Sequence, residues 1–196
     1  MTGRATFLRW LATFPAFPIG GLLAVTLVGS VTDPLRAFLA GALAGAVIGT
    51  AQWLALRPSG LSAVWVAVTA AAVAVGSSIS VAITSAGTST GELVLTGLIT
   101  GATLGIGQSF LTRGGGRTRA AWAALLAVSW ALGWFVTANV IVDADRGYVT
   151  FGSSGALLAT LLTGLLVRRL VVQPVIGHAE RPADSTSPTE ASEVQR

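Results

Sequence analysis

The sequence predicts an all-α fold: an integral membrane bundle of six transmembrane helices built as three pseudo-repeated helical hairpins. Three observations carry that expectation. The chain is 53% hydrophobic and only 10% charged, whereas a soluble domain is about a quarter charged. Six apolar stretches, 10–31, 35–56, 61–84, 93–112, 120–142 and 151–172, each approach the roughly 20 residues a helix needs to cross a hydrocarbon core. Arginines gather at alternate ends of those stretches, as in a chain that weaves through a bilayer.

The first stretch contains Phe14-Pro15-Ala16-Phe17-Pro18, and its prolines should bend the helix. Arg4 and Arg9 ahead of an apolar run can mimic a cleaved signal peptide. The length of the run, its prolines and its place in a repeat argue that it stays. The other stretches are separated by Thr32-Asp33-Pro34, Arg57-Pro58-Ser59-Gly60 and residues 85–92, 113–119 and 143–148. Backbone in lipid must satisfy its own hydrogen bonds, so the stretches are read as helices. They lack the alternating pattern of barrel strands. Residues 1–9 form an N-terminal segment and 10–172 the membrane domain. Residues 173–196 are a Pro-, Ser-, Thr- and Glu-rich tail expected to be disordered.

Arg4, Arg9, Arg57, Arg113, Arg117, Arg119, Arg168 and Arg169 share one side of a six-crossing chain, and only Arg36 and Arg146 fall on the other. The excess of positive charge marks the cytoplasmic side, which puts both termini there. All basic residues are arginine, a usage that suggests a GC-rich bacterium and hence its inner membrane. The pI of 11.3 does not point to nucleic acid, because the arginines are spread over segment ends rather than one face.

Self-similarity is the strongest pattern in the chain. Gly41, Gly45, Gly49, Gln52 and Arg57 recur as Gly97, Gly101, Gly105, Gln108 and Arg113, each 56 positions later. In the odd stretches Trp10 and Gly21, Trp65 and Gly76, and Trp122 and Gly133 keep a constant separation of eleven. A fainter third copy of the even stretch holds Gly152, Ala156, Thr160, Thr163 and Arg168. Small residues at every fourth position make a flat helix face on which backbones can approach closely in lipid. Gln52 and Gln108 extend those faces and should hydrogen-bond across a helix contact.

The run from Gly41 to Arg57, Gly-x-x-x-Gly-x-x-x-Gly-x-x-Gln-Trp-Leu-x-Leu-Arg, resembles repeats in a group of uncharacterised bacterial multi-pass membrane proteins. The likeness is best over stretches two to five. Stretch four departs from it, with Ser109 and Phe110 where Trp-Leu is expected. The resemblance implies the architecture and no chemistry.

Candidate functional residues fall into three sets. Gln52 and Gln108, with the glycines beside them, are packing or polar-path residues, and helix–helix bonding is the reading taken. Asp33, Glu92 and Asp145 stand at the outer ends of the hairpins. An acidic ring that gathers cations is one reading, and solvated loop charge is the one preferred. Arg57, Arg113 and Arg168 stand at the inner rim, where they set topology and reach for head groups. Trp10, Trp65 and Trp122 are read as interfacial indoles. Trp130 and Trp134, deeper and four apart, are read as packing residues rather than a cofactor stack.

No catalytic, cofactor or metal set is expected. Cysteine is absent, His178 is alone in the tail, and no ionisable side chain lies well inside a stretch. Pumps and intramembrane hydrolases need such groups. The function expected is therefore a non-enzymatic structural or accessory component of a membrane assembly, meeting lipid and a membrane partner or further copies of itself. The alternative is a small passive channel or a ligand-binding subunit of an importer. A connected cavity lined by Gln52, Gln108, threonines and Asn139 would favour the alternative, and a filled centre the first reading.

Overall fold

The computed structural model describes residues 3–112, 115–140 and 150–170, the last three by backbone alone. Expectations placed on Arg113, Asp143, Asp145, Arg146, His178 and the tail 173–196 lie outside the described residues. The described residues form seven α-helices, in order α1 (Gly3–Leu11), α2 (Ala16–Val28), α3 (Pro34–Leu56), α4 (Val64–Thr84), α5 (Thr90–Ser109), α6 (Gly116–Val140) and α7 (Ser153–Leu170). Among the described residues there is no strand. Five spans, Gly3–Val28, Pro34–Ser59, Val64–Thr84, Thr90–Ser109 and Gly116–Val140, are long and apolar enough to cross a membrane. The sixth stretch is helical, but its apolar part, Ser153–Val167, is shorter.

The first span corrects the sequence reading in two ways. It begins at Gly3 rather than near residue 10, and it is two helices rather than one bent helix. Pro15 has no N–H and its ring crowds the carbonyl one turn back, which ends α1. The break keeps its hydrogen bonds by tightening to i→i−3 contacts: Thr13 N donates to Trp10 O at 3.0 Å, Phe14 N to Leu11 O at 3.1 Å and Ala16 N to Thr13 O at 3.0 Å. Non-helical backbone at membrane depth must be satisfied in this way. Pro18 bends nothing, because it sits in the first turn of α2, where N–H groups lack helical partners anyway.

α3 and α5 start where their caps stand. Asp33 accepts from Leu35 N and Arg36 N, each at 3.0 Å, with Pro34 next in the helix. Ser89 and Glu92 form a reciprocal capping box. That box begins α5 at Thr90, three residues before the apolar run suggests.

From α2 to α7 each helix packs on the next, and α1, which packs on α3 and α7 rather than on α2, helps close the bundle into a ring together with the contact of α7 on α2. The outer surface is apolar on all sides, with Leu22, Leu35, Ile83, Ile106, Val128 and Leu165 among the exposed side chains. A helix that is apolar all round belongs in a larger core or in lipid. The ring therefore defines a polytopic membrane bundle. One end carries Arg9 and Arg57 and is called the arginine end below; Asp33 and Glu92 lie at the opposite end.

The small-residue faces meet other helices. A Cβ added to Gly41, Gly45 or Gly49 of α3 would lie 2.8 Å from Val73 O, 2.8 Å from Ala70 Cα or 2.9 Å from Thr69 Cβ of α4. On α5, a Cβ at Gly97, Gly101 or Gly105 would lie 2.5 Å from Trp130 O, 2.5 Å from Leu126 O or 2.6 Å from Ala123 Cα of α6. In α7, Ala156 and Thr160 are buried. Gly76 and Gly133 serve the other side of their helices: a Cβ would lie 2.7 Å from Thr100 Cα and 3.1 Å from the Phe151 ring, respectively.

Candidate functional site

α3, α5 and α7 end and α1, α4 and α6 begin at the arginine end, so their polar and aromatic residues meet in one layer. Gln52 lies in the last turns of α3 and Trp65 in the first turn of α4, where the tight Arg57–Ser59 turn brings them together. Trp65 Nε1 donates to Gln52 Oε1 at 2.9 Å. Trp10, in the last turn of α1, donates from Nε1 to Thr163 Oγ1 of α7, also at 2.9 Å. Gln52 and Thr163 both stand five residues before an arginine, Arg57 and Arg168. Gln108 has the same offset from Arg113, but its amide turns elsewhere. Gln108 Nε2 donates to Thr69 Oγ1 of α4 at 2.9 Å and reaches Gln52 Oε1 at 3.4 Å.

The three indoles fill the space inside this layer. The Trp10 and Trp122 rings are 6.2 Å apart, edge to face, and the Trp65 and Trp122 rings 6.5 Å apart. Each tryptophan is only 1% exposed. That overturns their reading as interfacial residues: they point into the bundle, and lipid does not touch them. Burial also makes their N–H groups demanding, since an unmet buried donor costs about 1–3 kcal/mol. Trp122 Nε1 and Gln108 Oε1 are both buried without a hydrogen-bond partner among the described residues.

Nearer the other end a second aromatic level closes the centre. Phe17 stacks on Phe151 at 5.2 Å, Trp130 meets Phe151 edge-on at 5.1 Å, and Trp134 meets it at 6.2 Å. Trp130 and Trp134 thus share one face of α6 and pack into protein. Thr150 Oγ1 ties the start of this level to Phe17 O at 2.9 Å. Asn139 takes no part: it is exposed and donates to Phe135 O of its own helix.

The acidic candidates have local work. Asp33 caps α3 and pairs with Arg36 at 3.4 Å, and Glu92 accepts from Ser89 N at 3.0 Å. Arg57 is exposed, with its guanidinium carbon 6.0 Å from the centre of the Trp53 ring. Among the described residues no group of three or more His, Asp or Glu could hold a metal ion.

Sequence reasoning found the two glutamines and the tryptophans but not Thr69, Phe17 or Phe151. A signal for Thr69 exists. It stands four residues after Trp65, where Phe14 and Leu126 follow Trp10 and Trp122, so only this position offers a hydroxyl. Phe17 and Phe151 carry no such mark in a chain that is apolar throughout.

Fold and layer together define a multi-pass helical membrane protein with a polar and aromatic centre. Neither a family model, a curated protein nor a solved structure matches the chain.

Proposed function

We propose that the chain is a non-enzymatic structural or accessory component of a bacterial inner-membrane assembly, crossing the bilayer six times with both termini cytoplasmic. The observation that carries this reading is the aromatic packing at the centre. Trp10, Trp65 and Trp122 occupy one level, and Phe17, Trp130 and Phe151 the other. The buried amides are used to join helices. Rigid packing without an intramembrane acid or base suits a scaffold better than a pump. A sixth crossing is supported by the length of α7, whose 18 residues span about 27 Å. A pseudo-threefold plan is supported by two parallel bonds. Trp10 of α1 bonds to Thr163 of α7 and Trp65 of α4 to Gln52 of α3, and each acceptor stands five residues before an arginine.

Two experiments test the proposal. Reporter fusions at residue 88 and at the C-terminus should read outside and inside, respectively; a cytoplasmic signal at 88 defeats the topology. Cross-linking in native membranes should capture a stoichiometric membrane partner or a second copy, and reconstituted vesicles should pass ions and small solutes no faster than empty ones. Solute flux that the purified chain alone supports overturns the scaffold reading and favours a passive channel.

A further inference from the structure

We propose that one water molecule is bound inside the bundle between α5 and α6, accepting from the Trp122 Nε1–H and donating to Gln108 Oε1. The proposal goes beyond the scaffold reading and holds whether the bundle scaffolds or conducts.

Backbone contacts put the two groups at one level. On α3, a Cβ at Gly49 would lie 3.1 Å from Val66 Cα, and one at Gly45 would lie 2.8 Å from Ala70 Cα. On α5, a Cβ at Gly105 would lie 2.6 Å from Ala123 Cα, and one at Gly101 would lie 2.9 Å from Ala127 Cα. Val66 and Ala70 stand one and five residues after Trp65, and Ala123 and Ala127 stand one and five residues after Trp122. Gln52 and Gln108 each come three residues after the last glycine of their ladder. Trp122 therefore stands beside the turn of α5 that carries Gln108, as Trp65 stands beside the turn of α3 that carries Gln52.

In the α3–α4 pair this arrangement closes directly, from Trp65 Nε1 to Gln52 Oε1 at 2.9 Å. In the α5–α6 pair it does not. Gln108 Nε2 is held by Thr69 Oγ1 at 2.9 Å and reaches Gln52 Oε1 at 3.4 Å, so turning the amide toward Trp122 would break both contacts. What remains is one acceptor and one donor, Gln108 Oε1 and Trp122 Nε1, without a partner among the described residues. Their side chains are 0% and 1% exposed. Leaving both unmet would cost the desolvation of each.

The chemistry of the pair selects the ligand. It must accept one hydrogen bond and donate another, which excludes an acyl chain. It must be neutral, because Leu104 and Leu126 beside it are buried and apolar, and an ion among them would go uncompensated. It must be small, because the two backbones are in contact along the glycine ladder. Water meets all three conditions, and buried waters commonly serve polar groups that the chain leaves unmet. The way in is short: Gln108 is the last residue but one of α5, and Trp122 lies in the second turn of α6. A bridging water returns most of a direct bond but is itself immobilised. This junction is therefore weaker than the one between Trp65 and Gln52, and it is the one that exchanges with solvent.

The test uses the full chain in detergent micelles, with its tryptophans labelled with nitrogen-15 and the Trp122 indole signal assigned by its loss in Trp122→Phe. The Trp122 indole proton should show a cross-peak to water whose signs in NOE and ROE spectra are those of a bound molecule, and the Trp65 indole proton should show none. Gln108→Met, which keeps the length of the side chain and removes the acceptor, should abolish the Trp122 cross-peak. An unchanged Trp65 indole signal shows that the variant is folded. The wild-type spectrum is decisive without any variant. A Trp122 indole with no water cross-peak, a cross-peak with the signs of chemical exchange, an equal cross-peak at Trp65, or one at Trp122 that persists in Gln108→Met would each overturn the proposal.

Discussion

The α3–α4 and α5–α6 pairs carry the same ladder of small residues and the same Gln and Trp, yet they close differently at the arginine end. In α3–α4, Trp65 donates to Gln52 and the pair is satisfied. In α5–α6, Trp122 Nε1 and Gln108 Oε1 both lack a partner among the described residues. Two differences account for this. The separation from Gln to Trp is 13 residues in the first pair and 14 in the second, so the longer connection shifts the indole relative to the amide. Thr69 of α4 also offers Gln108 an acceptor, and Leu126 at the corresponding place in α6 cannot. A repeated motif therefore guarantees backbone geometry better than it guarantees side-chain partners. Close approach depends only on the absence of a side chain. A hydrogen bond depends on register and on what the next helix presents.

The largest effects should come from the glycine faces, where the second pair is tighter. Gly101→Leu should destabilise the bundle by about 3 kcal/mol and Gly45→Leu by about 2 kcal/mol, because overpacking that cannot relax costs on this order. Leu43→Ile, on an outward face, should be near neutral. Thermal unfolding in detergent measures all three, and identical melting temperatures would remove the distinction between contact face and outer face.

The next effects separate the two amides. Gln52→Leu strands the buried Trp65 N–H and should cost about 2 kcal/mol. Gln108→Leu gives up the bond to Thr69 and the longer one to Gln52 but also removes an acceptor unmet among the described residues, and should cost about 1 kcal/mol. If the reverse order is measured, Gln108 rather than Gln52 organises the layer.

The indoles offer a sharper version of the same contrast. Trp65→Phe breaks a satisfied bond and should cost about 1 kcal/mol beyond the loss of ring area, whereas Trp122→Phe discards a donor that has no partner among the described residues. Tryptophan fluorescence, with denaturation curves for both variants, provides the comparison. Equal losses would mean that Trp122 bonds in solution and that the two pairs are alike.

The smallest effects lie at the opposite end, where α3 and α5 start from different caps. Ser89→Ala dismantles a capping box and should cost about 1 kcal/mol, while Asp33→Asn keeps a competent cap and should change stability by only a few tenths of a kcal/mol. A large loss with Asp33→Asn would show that its charge, not its capping oxygen, is what the site uses.

Much of the architecture was legible from residues alone. Runs of apolar residues marked the helices, Pro15 marked the interruption in the first span, and the 56-residue spacing from Gly41 to Gly97 marked equivalent faces. Those features are local, set by backbone hydrogen bonding, side-chain size and the cost of charge in hydrocarbon, so a linear string carries them. The start of α5 is set by the capping box of Ser89 and Glu92, which an apolar run does not mark. Which way Trp10, Trp65 and Trp122 point was decided only by tertiary structure, as were the return of α7 to α1 and the choice of Thr69 over Trp122 as the partner of Gln108. The reason is physical. In water, an apolar stripe tells a helix which face to bury. In lipid, both faces are apolar, so the choice passes to backbone approach and to a few hydrogen bonds, and those exist only once the helices have met.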